Sequence, residues 1–297
     1  MSANEHRTPP TSGFPPNPPG LDWLRGSADG RAWLERLPRL LEECREEWSL
    51  ELEQPFPYAF ASLAVPAGDV VLKIQFSDRE GEHEGDALAL WDGDGAVRLL
   101  ARDRERHALL LERCRPGSPL HELEADVALD VIAGLLPRLW RPAGEPFRPL
   151  AEEAAWWLDG LEAQWERGGR PFERRLLDAA LEALRELPGT QGEQVVVNQD
   201  LHAQNVLAAE REPWLLIDPK PLAGEREFGL ASVIRGGELG EDERSVRHRL
   251  DRLTVELGLD RERARGWAIA QTLAWAWVDD QPLADHVQVA RWLLQAS

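Results

Sequence analysis

Apolar positions recur at three-to-four spacing between residues 21 and 48, where Trp33, Leu34, Leu37, Leu40 and Leu41 share one helical face. The period then changes. Residues 48–54 alternate apolar and polar and predict a strand, and the apolar runs 60–65 and 70–76 flank Pro66-Ala67-Gly68-Asp69, which predicts a hairpin. Residues 80–92 return to a helical pattern, and 96–101 and 108–113 read as two more strands. Beyond Pro116-Gly117 the pattern is chiefly helical, cleanest at 151–166 and at 172–187, where Pro188-Gly189 stops the helix. Short apolar runs at 194–197 and 213–218 interrupt as strands, and helix resumes from Asp242. The expected fold is α+β and bilobal. A Pro-rich flexible tail (1–20) precedes a β-rich N-lobe (21–115), followed by a helical C-lobe (116–297) with a small inserted hairpin.

Composition narrows the function classes. The net charge of −19 opposes nucleic-acid binding, which needs a concentrated positive face, and suits a cationic small-molecule partner. No apolar run reaches the roughly 18 residues that span a bilayer. The polar start of the chain lacks the apolar core of a signal peptide, so no membrane partner and a cytoplasmic location are expected. Cys44 and Cys114 are too far apart for a disulfide framework or a metal knuckle and read as two reduced, buried thiols. Of the 34 basic side chains only Lys73 and Lys220 are lysine, which singles out those two positions in a chain that otherwise uses Arg.

The densest chemistry lies in residues 197–220. Asp200 precedes Asn205 by five positions between two apolar runs, and Asp218 follows the next predicted strand. Phosphoryl transfer needs these groups: a carboxylate to take the proton of an attacking hydroxyl, with a carboxamide and a second carboxylate to hold Mg²⁺ against the phosphates. An Asp alone more often caps a turn; the three together argue for chemistry. Lys73 sits inside the apolar run 70–76, where an ammonium needs a partner. It resembles the strand lysine that contacts nucleotide phosphates, with Glu84 as candidate helix partner and Glu80 and Glu82 as rivals. Residues 54–62, ending at Ser62, occupy the place of a phosphate-covering loop but contain no Gly, and Glu112 and Cys114 lie where a hinge would meet adenine. Asp279 and Asp280, read at a helix end, are candidates for binding a cationic acceptor. His107, His202 and His286 have no metal-ligand spacing.

These segments resemble the aminoglycoside phosphotransferase superfamily, most of all the branch of streptomycin 6-phosphotransferases and hydroxyurea phosphotransferases. The resemblance is carried by NQDLHAQNVL (198–207) and WLLIDPKPLAGEREF (214–228), more softly by LALWDGDGAVRLL (88–100) and ALLLER (108–113), and covers nearly the whole chain. It implies a protein-kinase-like fold that uses ATP or another nucleoside triphosphate, with Mg²⁺, to phosphorylate a hydroxyl of a small molecule such as an aminoglycoside. It implies Asp200 as base, Asn205 and Asp218 as metal ligands, and Lys73 with Glu84 at the phosphates. Asn198 stands where many members have His, and Gly229 where many have Asp. Both positions brace the catalytic loop in the family, so weaker bracing is expected unless the Asn198 amide substitutes. On sequence, a metabolic or natural-product kinase and a catalytically silent nucleotide-binding module remain as alternatives.

Overall fold

The computed structural model describes residues 19–57 and 59–296. Most of the Pro-rich tail (1–18), and Tyr58 of the loop ahead of Ser62, lie outside the described residues. The chain forms two compact units, one of residues up to Arg79 with Leu99–Arg113, the other of Glu80–Arg98 with the chain from Cys114 onward.

In the first unit, helix α1 (Ala28–Glu47) starts where the Ser27 side chain accepts from Gly30 N at 3.0 Å. Its buried stripe of Trp33, Leu34, Leu37, Leu40, Leu41 and Cys44 packs with Leu63, Val65, Leu72 and Ile74 of the sheet. Each such side chain contributes roughly 1.5–3 kcal/mol on burial. The sheet is antiparallel in the order β1-β2-β4-β3, with β1 Ser62–Ala67, β2 Val70–Gln75, β3 Leu99–Asp103 and β4 Ala108–Glu112. Gly68, at φ 62°, makes the β1–β2 turn, which starts two residues later than the sequence suggested, because Pro66 and Ala67 still pair with Val71 and Val70. The strand expected over 48–54 is not formed. The chain there runs beside β1 with single bonds from Glu53 N to Pro66 O and from Phe56 N to Ala64 O, since Pro55 and Pro57 supply no donors for a ladder.

In the second unit, α2 (Glu84–Trp91) is followed by α3 (Ala125–Leu139), α4 (Leu150–Arg167) and α5 (Arg174–Glu186). Sequence grouped residues 80–98 with the N-lobe; in the structure they belong here. Trp91 Nε1 donates to Leu139 O, and residues 95–97 exchange backbone bonds with Leu216. Two short antiparallel ladders follow, β5 (Val195–Asn198) with β8 (Pro221–Gly224) and β6 (Val206–Ala208) with β7 (Trp214–Leu216). The chain closes with α6 (Ala231–Arg235), α7 (Glu243–Leu257), α8 (Arg261–Ala274), the hairpin β9 (Trp277–Val278) and β10 (Gln281–Pro282), and α9 (Ala284–Gln295). Buried Trp267 of α8 stacks edge-on to Phe228 and donates to Glu225, which also takes a bidentate bond from Arg263. Among the described residues no helix is long and apolar enough to cross a membrane.

Candidate active site

Strand β5 is buried along its length and delivers Asn198 to the start of the loop that carries Asp200 and Asn205. Its carboxamide Oδ1 accepts from Asp200 N at 3.0 Å and Lys220 N at 2.9 Å, while Gln199 N donates to Lys220 O. One side-chain oxygen thus ties the loop after β5 to the residue before β8. Three further bonds hold the loop from outside. Ser232 Oγ donates to Leu201 O, Gln271 Nε2 to Gln199 O, and Ala203 N to Glu238 Oε1. The bracing that the Asn198 substitution put at issue is therefore present. A side chain at Gly229 would meet Trp140 Nε1 at 3.3 Å and Val197 Cγ1 at 3.6 Å, so this position is filled by its neighbours instead of carrying a carboxylate.

The loop brings Asp200, Asn205 and Asp218 together. Asn205 Nδ2 donates to Asp200 O at 3.3 Å, and Asn205 O accepts from Ile217 N at 2.8 Å, next to Asp218. Asp218 holds a left-handed backbone, φ 50°, which Asp tolerates better than branched residues and which turns the chain sharply after β7. Asp200 Oδ2 lies 3.0 Å from Lys220 Nζ, whose other carboxylate is Glu80 Oε2 at 2.9 Å. Burial opposes the charge of Lys220, but Asp200 and Glu80 outweigh it and hold its pKa above the ordinary lysine value. The ammonium also sits 5.4 Å from the Trp275 ring centroid, and the Arg235 guanidinium lies 4.9 Å from the same centroid. Burial pushes the Arg235 pKa down, against the pull of Asp200 and Glu238. His286 is likewise pushed down by burial and by Arg235, which favours its neutral form.

The other sequence candidates are distributed as follows. In the first unit, Lys73 is buried in β2 opposite Ala64 and Leu109, Ser62 opens β1 opposite Gln75, and Glu112 closes β4 opposite Val70. In the second unit, buried Glu84 starts α2, and half-buried Cys114 is not the buried thiol expected. Asp279 and Asp280 are not at a helix end. Helix α8 stops at Ala274, and the pair forms the exposed β9–β10 turn, with Asp279 at φ 55°. Gln164 and Arg167 at the C-terminal end of α4 hold that turn, through Asp279 O at 2.7 Å and Asp280 Oδ1 at 3.4 Å. No described cluster of three or more His, Cys, Asp or Glu could hold a metal, so the metal candidates stay with the Asn205–Asp218 pair. Sequence reading did not assign Glu80, Lys220, Arg235 or Trp275 to the surroundings of Asp200. The rarity of lysine singles out Lys220, and Glu80 stands in the sequence only as a rival partner for Lys73.

Residues 59–281 match the family model described as aminoglycoside/hydroxyurea antibiotic resistance kinase. The chain is 40% identical to a hydroxyurea phosphotransferase of Kitasatospora aureofaciens, over 89% of this chain and 80% of that protein. It is 39% identical to a streptomycin 6-kinase of Streptomyces griseus, over 84% of each. Among solved structures, a choline kinase of Streptococcus pneumoniae superposes with a TM-score of 0.63 at 13% identity, covering 88% of this chain and 99% of that one. The hygromycin B complex of an aminoglycoside phosphotransferase with ADP gives 0.59 at 14% identity, covering 86% and 96%. At those identities the likeness establishes the protein-kinase-like fold alone; the family rests on the sequence matches. The chain belongs to the aminoglycoside/hydroxyurea antibiotic resistance kinase family.

Proposed function

We propose that the protein moves the γ-phosphoryl group of ATP onto a hydroxyl of a small antibiotic, with Asp200 as the catalytic base. The observation that carries this is the hydrogen-bonded arrangement of Asp200 and Asn205 on the loop after β5, braced by Asn198, with Asp218 on the adjoining segment after β7. The acceptor hydroxyl gives its proton to Asp200, its oxygen bonds to the γ-phosphorus, and the bond to the bridging oxygen breaks, so that ADP leaves with the electron pair. Positioning and charge neutralisation supply most of the rate in such a transfer. Asn205 uses its amide nitrogen on Asp200 O, which leaves its Oδ1 as a candidate metal ligand together with the Asp218 carboxylate. That hard-oxygen pair suits Mg²⁺, which when bound would neutralise phosphate charge. Lys73 is the candidate phosphate contact, with Glu84 as its charge partner, and Ser62, Glu112 and Cys114 are candidates for the remaining nucleotide contacts.

A streptomycin-type aminoglycoside is the first acceptor to test, supported by the streptomycin 6-kinase similarity and by the net charge of −19, which favours a cation. Hydroxyurea is the second, supported by the 40% identical relative. The test incubates the protein with ATP, Mg²⁺ and each acceptor and reads the products by mass spectrometry. An acceptor heavier by one phosphoryl group is expected. Unmodified acceptors throughout, from protein that binds ATP, would remove the antibiotic reading.

A further inference from the structure

Lys220 is one of two lysines in the chain, and nucleotide chemistry accounts only for the other. Its ammonium is held between two carboxylates, 3.0 Å from Asp200 Oδ2 and 2.9 Å from Glu80 Oε2. Its backbone is tied to that of Asp200 through a third residue, because both N–H groups donate to Asn198 Oδ1. The pair is therefore fixed at main chain and side chain together. Among the described residues the side chain paired with the other Asp200 oxygen, Oδ1, is His202, whose Nε2 lies at 3.9 Å, beyond hydrogen-bond reach. Lys220 thus occupies one oxygen and leaves the other open.

We propose that Lys220 is a positioning residue for phosphoryl transfer: clamped by Glu80, its ammonium fixes the Asp200 carboxylate so that Oδ1 receives the acceptor's proton. This rests on Asp200 being the base. The residue type supports it. A compact ammonium with three donors can serve two carboxylates from different directions, whereas a planar guanidinium fork matches one carboxylate face. The chain uses arginine where it needs the fork, as at Arg263 on Glu225 or at Arg249, whose guanidinium bonds the carbonyls of Ile234, Leu239 and Gly240. At position 220 it departs from that habit. The side chains of Lys220 and Asp200 are 17% and 16% exposed, so water screens their contact far less than it does an open surface pair. Trp275 backs the ammonium on a further side and limits where it can move.

The experiment is a double-mutant cycle in the full chain, with ATP, Mg²⁺ and streptomycin or hydroxyurea, whichever the wild type phosphorylates. Lys220→Met should lower kcat roughly 10–100-fold, as expected for losing one charge-assisted hydrogen bond to the reacting carboxylate, with KM for ATP changed by no more than about twofold. Lys220→Arg should restore only part of the loss. In an Asp200→Ala background, Lys220→Met should change the residual rate by less than about twofold, because a residue acting through Asp200 has nothing left to position. Glu80→Gln leaves Lys220 in place and should lower kcat about threefold, again only when Asp200 is present; it carries the test if Lys220→Met does not fold. Equal losses in both backgrounds, or a fall in kcat matched by a rise in KM for ATP, would overturn the proposal while leaving Asp200 as base. An Asp200→Ala variant as fast as wild type would overturn the parent reading, and the proposal with it.

Discussion

Replacing Asn198 by Ala removes the one oxygen that links the backbones of Asp200 and Lys220. Both N–H groups lose their acceptor beside a residue only 7% exposed. Each lost bond costs roughly 1–3 kcal/mol when water cannot replace it. Part of this is offset, because Asn198 Nδ2 is itself buried without a partner and its removal recovers roughly 1 kcal/mol of desolvation. The net expectation is a loss of about 1–5 kcal/mol in unfolding free energy. The kinetic effect comes from geometry, since displacing a base by about 1 Å costs on the order of 10²-fold. Asn198→Ala should therefore lower kcat about 10–100-fold, with KM for ATP nearly unchanged. Asn198→Asp keeps the acceptor oxygen and should retain more activity than Ala. Asn198→His should alter the rate less than loss of Asp200 does. Urea denaturation and steady-state kinetics on the purified variants provide the assay. An Ala variant with wild-type kcat and unchanged stability would show that this oxygen does not brace the loop.

Three other perturbations test separate parts of the structure. Glu225→Ala removes the carboxylate shared by the half-buried Arg263 guanidinium and the buried Trp267 N–H, and should cost roughly 1–3 kcal/mol by denaturation; an unchanged stability would contradict the pairing. Asp218→Ala should abolish the gain in ATP affinity that Mg²⁺ gives the wild type, measured by titration calorimetry with and without the metal; equal gains in both proteins would clear Asp218 of the ligand role. The Cys44 thiol, buried against α1's sheet, has its pKa pushed up to about 11 by that burial, so at pH 8 it stays protonated. Peptide mapping after alkylation should find it unmodified in the native protein and modified in urea, and equal labelling in both would mean that α1 does not pack as described.

Local signals made much of this molecule legible. The α1 stripe, the β1–β2 hairpin and the Asp200–Asn205–Asp218 segment each arise from neighbouring residues whose spacing encodes a periodicity or a chemical role. The misses are non-local. Strand β8 consists of Pro221, Leu222, Ala223 and Gly224, a sequence with little strand character, and it pairs because β5 offers a buried edge. Residues 48–54 alternate like a strand, yet the prolines that follow deny them a ladder. Residues 80–92 look like a helix and 96–101 like a strand of the N-lobe, but Trp91 and Ala96 find their partners at Leu139 and Leu216. Asp279 and Asp280 read as a helix end, but α8 stops at Ala274 and the pair sits in a hairpin turn held by α4. Lys220 stood out by rarity, but its clamp depends on Glu80, far away in the chain.

Asp200→Asn tests the central claim most directly, because it keeps the shape of the side chain and removes only the charge that accepts a proton. The measurement is single-turnover phosphoryl transfer at saturating ATP, Mg²⁺ and acceptor, alongside ATP affinity. The rate should fall roughly 10²–10⁴-fold while nucleotide affinity stays within about threefold of wild type. A variant that transfers the phosphoryl group at close to the wild-type rate would contradict the assignment of Asp200 as base.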